Sequence, residues 1–203
     1  PQVHVRPPGG IPVRLPLRRE GADFVAELYL HTPGRTVLEV MGVGAQGPEV
    51  ALLGHIYVGQ AIPSLAELRE AEVEDLDAAG MRAELDALRA RRGLRPLRPD
   101  PRLDEVARMY AEELIASDRF AHVSPESGEV GDRLRRAGYS FRVAGENLGE
   151  GPTAGAAHRA ILQSPAHLSA VLEPRFDAIG IGIARTRVGE RPRVVLVHVL
   201  ASP

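Results

Sequence analysis

The 203-residue chain contains no cysteine, no lysine and no tryptophan, and its aromatic side chains are four phenylalanines and four tyrosines. Without cysteine there are no disulfides, thiol nucleophiles or thiolate metal sites. Without lysine there is neither Schiff-base chemistry nor a P-loop lysine on a phosphate. All 25 basic residues are arginine, set against 27 acidic ones for a net charge of −2, so no strong field draws the chain to nucleic acid or to anionic lipid. No stretch approaches the roughly 18 consecutive apolar residues of a spanning helix. Residues 1–20 carry Arg and Pro where a secretory signal is apolar, so any export signal is expected to have been removed or never to have been there, and Pro1 reads as the start of a mature chain or of an expressed piece. What remains, 44% hydrophobic and 26% charged, is the composition of a packed globular protein. His, Asp, Glu, Ser and Tyr must carry any chemistry.

Residues 1–60 are rich in Pro and Gly and hold short β-prone runs at Phe24 to Leu30, Thr36 to Val40, Val50 to Leu53 and His55 to Val58. They predict a small all-β domain over 1–60, of immunoglobulin-like type although short for one. Over 61–80, Ser64 can cap a segment in which Leu65, Leu68, Val73 and Leu76 alternate with acidic residues. This reads as an acidic helical linker whose charges form a solvated face and not a cation site.

Residues 81–203 form a second domain of α/β class. Met81, Leu85 and Leu88 recur at helical spacing before Gly93, and Asp100-Pro101 supplies a cap and a first-turn proline for the stripe Leu103, Val106, Ala107, Tyr110 and Leu114. Further helices fit Glu129 to Ala137, Ala154 to Gln163 behind Thr153, and the segment opened by Ser164-Pro165. Ile179 to Ile183 and Val194 to Leu200 read as a hairpin in a core sheet. Helices followed by an antiparallel hairpin indicate helices layered on sheet faces, not a doubly wound parallel sheet.

Three segments could bear chemistry: Phe120-Ala121-His122-Val123-Ser124, Gly145-Glu146-Asn147-Leu148, and Ser164-Pro165-Ala166-His167. Each alone has a bland reading. His122 fits a hydrogen-bonded surface residue beyond a helix, Asn147 a left-handed position in a glycine-flanked turn, and His167 an ordinary first-turn residue.

Together and in this order, with Leu85 to Arg89, Gly93 to Leu97, Arg133, Ala137-Gly138-Tyr139 and Ile179-Gly180-Ile181-Gly182, they resemble the bacterial branch of the CAP superfamily over residues 80–201. That superfamily unites cysteine-rich secretory, antigen 5 and pathogenesis-related proteins and includes SCP-like extracellular proteins. The resemblance implies an α-β-α sandwich in which His122 and His167 face a cleft with Glu146 beside them, and Asn147 and Ser164 contribute to its lining. His122 and His167 can hold Zn²⁺ or another divalent cation, since neutral imidazoles are its natural ligands; these two residues and Glu146 can equally bind a polar ligand without metal, or serve only as a polar network tying the helices to the sheet. The chain departs from the pattern at one telling place. Where many members carry a second cleft glutamate, the alignment places Ser164, with Ile161 at the preceding tryptophan. His198, on an apolar closing strand, reads as a core histidine and not a third ligand.

The resemblance implies an exported, extracellular or periplasmic binding module for a small-molecule, lipid or cell-envelope ligand. Its alternative is a metal-assisted hydrolase of peptide or cell-wall material, with Glu146 as general base and His122 and His167 on the metal. Ser124 or Ser127 with His122 lacks a nucleophile elbow. Glu146 with Glu150 or Glu129 leaves the carboxylate spacing of a glycosidase undefined. The stretch Arg89 to Arg102 reads as a solvated connector, and His4, His31, His55 and His158 receive no role.

Overall fold

The computed structural model describes residues 1–64 and 75–202. The chain divides into two compact units, Pro1–Glu72 with Gln163–Ser169, and Val73–Leu162 with Ala170–Pro203. Half of the acidic linker expected over 61–80, residues 65–74, lies outside the described residues.

Prolines at 7, 8, 12, 16 and 33 keep the early strands of the first unit short. Strands β1 (Gln2–Arg6), β2 (Val13–Leu15), β3 (Arg18–Glu20) and β4 (Asp23–Val25) are followed by the long pair β5 (Gly34–Gly44) and β6 (Gly47–Val58). The order β2-β1-β5-β6 makes one antiparallel sheet, and β3 and β4 form a separate ribbon. An immunoglobulin-like sandwich packs two facing sheets of about seven strands. The described residues of this unit hold one four-stranded sheet and a two-stranded ribbon instead. The runs Val50 to Leu53 and His55 to Val58 are a single strand, because Gly54 keeps its place in the ladder opposite Leu38. The irregularity lies earlier: Val40 pairs with Leu52 and Met41 with Val50, so Ala51 is the extra residue of a bulge. Of the run Phe24 to Leu30, only Phe24 and Val25 are in a strand. Val37, Glu39 and Met41 form one buried row along β5, and the carboxylate in it is anomalous.

In the second unit the periodicities translate directly. Its elements are α1 (Ala78–Ala90), β7 (Arg98–Pro99), α2 (Pro101–Ala116), α3 (Val130–Arg136), β8 (Val143–Gly151), α4 (Ala154–Gln163), β9 (Ala178–Val188) and β10 (Arg191–Ser202), while most of the intervening α5 (Pro165–Val171) lies in the Gln163–Ser169 segment of the first unit. Asp100 caps α2 by accepting the Arg102 N–H at 3.0 Å, with Pro101 in the first turn. The sheet order is β7-β9-β10-β8, antiparallel except for the short β7–β9 pair. Strand alternation sorts β10 into two faces. Val195, Val197, Val199 and Ala201 pack with α2 and Leu134 of α3, while Val194, Leu196 and Leu200 pack with α1 and α4. The result is a three-layer α-β-α arrangement.

Gly180 and Gly182 let α2 lie directly on β9. A Cβ at either position would stand 2.0 Å or 2.1 Å from main-chain carbons of Leu103 and Ala107. Gly145 to Leu148, expected as a turn, lies inside β8, and among the described non-glycine residues only Asp118 has a positive φ. The stretch Arg89 to Arg102 is not wholly a solvated connector. Arg89 is buried, its guanidinium donating to the carbonyls of Arg95, Val171, Glu173 and Phe176 at 2.7–3.3 Å.

Two outcomes follow. Gly182→Ala forces helix and strand apart, and urea unfolding should show a loss of about 3 kcal/mol or more. A loss within ~0.5 kcal/mol would mean that the close approach is dispensable. His158 of α4 is buried against His198, with ring centroids 5.4 Å apart, and burial holds its pKa below the ordinary 6.5 although Glu84 pulls the other way. The unfolded chain therefore binds the proton first as pH falls below 6.5, so stability is retained above that value and declines below it. The slope contributed is at most about 1.4 kcal/mol per pH unit. Thermal unfolding between pH 7.5 and 5.5 should show this decline reduced in His158→Phe, and an unchanged decline would sink the assignment.

Candidate functional site

In the second unit the site begins with a carboxylate placed by strand register. Glu146 pairs with Val199 in the β8–β10 ladder, so it projects to the face covered by α2 and α3. Its side chain is only 3% exposed. An isolated carboxylate there would be costly, and both of its oxygens are engaged. Oε1 lies 3.0 Å from His122 Nδ1, and Oε2 accepts from the Arg133 guanidinium at 2.5 Å.

Arg133 is held as firmly as the group it neutralises. Its side chain is 6% exposed, it donates to the Gly128 carbonyl at 2.6 Å, and its guanidinium carbon lies 3.4 Å from the centre of the Tyr110 ring. Tyr110 in turn donates its hydroxyl to the Ala121 carbonyl at 2.5 Å, anchoring the residue before His122. Burial, with Glu146 adding to it, pushes the Tyr110 phenol up to about 12, so it stays a neutral donor. Arg133, Glu146 and His122 thus form a chain from the buried interior to a ring that is 20% exposed. Beside it a hollow of about 400 Å³ is lined by Val106, Met109, Tyr110, Arg133 and Arg136 among others.

The other half of the expected set, Ser164 and His167, falls in the first unit. Ser164 opens α5 and its Oγ accepts the His167 N–H at 3.2 Å. That hydroxyl donates at 2.6 Å to Glu39 Oε1, and Glu39 Oε2 accepts the Ala166 N–H at 2.7 Å. Sequence reading missed Glu39, which sits 125 positions from Ser164 in an otherwise apolar strand row, and it missed the role of Arg133, which lies among Arg135 and Arg136 on one short helix.

Several candidates are not brought to Glu146. Asn147 is buried opposite His198, and alternation along β8 turns it to the other sheet face. His198 itself is a core residue. Ser124 and Ser127 donate their hydroxyls to Glu113, not to His122. Glu150 binds Arg193 at 3.0 Å, and Glu129 caps α3.

In the neutral tautomer whose Nδ1–H meets the carboxylate, the lone pair of the ring is on Nε2. This tautomer suits a hydrogen-bond donor or a divalent cation, and a cation would supply a Lewis-acidic position for a polar ligand. It does not suit a closed metal cage: among the described residues no group of three or more His, Cys, Asp or Glu could hold an ion.

The layered unit and its histidine–carboxylate–arginine chain define an α-β-α protein of the SCP type. The chain belongs to the CAP, cysteine-rich secretory protein, family, whose model matches residues 83–199. It is 34% identical over 98 residues to the uncharacterised protein YkwD of Bacillus subtilis, a match that covers 48% of this chain and 38% of that one. A second relative from that organism, the uncharacterised membrane protein YlbC, is 33% identical over 104 residues, covering 49% of this chain and 29% of its own length. The chain thus spans less than two fifths of either relative. Among solved structures, an extracellular protein of Bacillus anthracis containing an SCP domain aligns with a TM-score of 0.51 at 18% identity, over 86% of this chain and 66% of that one. An outer surface protein of Borrelia burgdorferi aligns with a TM-score of 0.52 at 23% identity, over 64% and 97%. These structural likenesses establish the fold.

Removing Arg133 tests the chain of contacts. Arg133→Met should cost about 3 kcal/mol or more in urea unfolding at pH 7, because a buried carboxylate loses its cation. Adding Glu146→Gln should restore part of that loss. A single variant within ~0.5 kcal/mol of wild type would show that the pair is not what holds the carboxylate.

Proposed function

We propose that this chain works outside the cytoplasm as a binding module whose active atoms are the imidazole nitrogens of His122 and His167, presented to a small polar ligand or to an exchangeable divalent cation that the ligand completes. The observation that carries this reading is the double engagement of Glu146. One oxygen meets the His122 ring and the other holds Arg133, which supports a role for Glu146 in orienting the imidazole over one as general base to water. A metal-assisted hydrolase needs that carboxylate, or another, free as a general base. That the two histidines serve one ligand is carried by family membership, and a shared fold does not by itself fix an activity. The extracellular assignment is supported by the relatives described as an extracellular protein and an outer surface protein.

Calorimetric titration of Zn²⁺ tests the reading. Wild type should give a saturable heat of modest affinity, weakened about tenfold or more in His122→Ala and abolished in the His122→Ala/His167→Ala double variant. Heat unchanged in the double variant would overturn the assignment of these histidines. Hydrolysis of a peptide, ester or glycan that is lost in Glu146→Gln would overturn the binding reading in favour of the hydrolase.

A further inference from the structure

We infer that Glu39, on strand β5 of the first unit, is the positioning residue for His167; this rests on the reading of His167 as a working residue of the binding site. Glu39 has no exposed surface, and its row on β5 is otherwise filled by Val37 and Met41. A carboxylate persists in such a row only where its charge is met by donors. Both of its oxygens reach the turn that carries His167: Oε1 accepts from Ser164 Oγ at 2.6 Å and Oε2 from the Ala166 N–H at 2.7 Å. The Ser164 hydroxyl, its proton committed to Glu39, is oriented to accept the His167 N–H at 3.2 Å. Glu39 thereby fixes the main chain on both sides of Ala166 and, through it, where the His167 side chain begins. His4 stands opposite Glu39 in the β1–β5 ladder and lies within its electrostatic reach.

The position that the family resemblance gives to a glutamate is Ser164 in this chain, and the carboxylate that meets Ser164 comes from residue 39. The N-terminal sheet is then part of how the second histidine is held, not only a display element. An ordinary helix cap would account for the Ala166 contact alone. It would not account for a buried charge spending its other oxygen on the serine hydroxyl that receives the histidine amide.

The test uses the full chain with labelled histidine rings and amides, as wild type, Glu39→Ala and Glu39→Gln, followed by NMR with and without Zn²⁺. In Glu39→Ala, the His167 ring signals should shift and broaden. The Ala166 amide should exchange about tenfold faster or more, and the zinc response should vanish at His167 while persisting at His122. Glu39→Gln keeps the volume and an acceptor for Ser164, so its effects should be smaller and of the same sign. If Glu39→Ala fails to fold, the glutamine variant decides alone. A His167 ring and Ala166 amide indistinguishable from wild type in the folded variants would overturn the inference. Zinc moving neither ring in wild type would instead overturn the binding reading, and the metal-free signals would still judge Glu39.

Discussion

Burying the carboxylate of Glu146 is the constraint that organises the second unit around its candidate site. A negative charge in that layer must be met by a cation and by donors, and Arg133 supplies the cation at 2.5 Å. Arg133 then needs its own support, which comes from the Gly128 carbonyl and the face of Tyr110. Tyr110 ties back to Ala121, and His122 follows directly. The ring is thus oriented through its neighbouring backbone and through Nδ1, both dependent on the same charge. The arrangement resembles the carboxylate–histidine pairs that support metal ligands elsewhere, with an arginine beyond the carboxylate making it a neutral pair.

The helices of the second unit were legible because capping chemistry is local. Asp100-Pro101, Thr153 and Ser164 announce their helices from one or two side chains. Strand β8 was not legible. Glycines at 145, 149 and 151 suit a turn by their local freedom, yet tertiary contact decides, since a Cβ at Gly149 would stand 2.4 Å from the Ala157 carbonyl oxygen. In the first unit, β-prone runs located strands but not how they join. Gly54 looked like a break and is an ordinary ladder position.

The histidines were recognisable from the ordered segments of the family, whereas their supports were not. Arg133 has arginine neighbours of identical chemistry on its helix, and only the sheet it faces distinguishes it. Glu39 falls by alternation in the buried row of Val37 and Met41, where a carboxylate breaks the apolar pattern, and nothing near it in sequence hints at a serine 125 residues later. Arg89 belongs to the same class: an arginine in a basic stretch whose guanidinium closes on four carbonyls. Charged side chains buried by distant partners carry no periodic signature, because their environment is assembled only by the fold.

The glycines under α2 have a reach beyond their own contacts. At Gly180 and Gly182 the helix rests on bare main chain, so the thickness of that layer is set by backbone on both sides. Tyr110 and Glu113, one and two turns farther along the same rod, inherit their depth from that seating. How far the tyrosine ring extends beneath the arginine is therefore decided by two residues without side chains, neither of which ever meets a ligand.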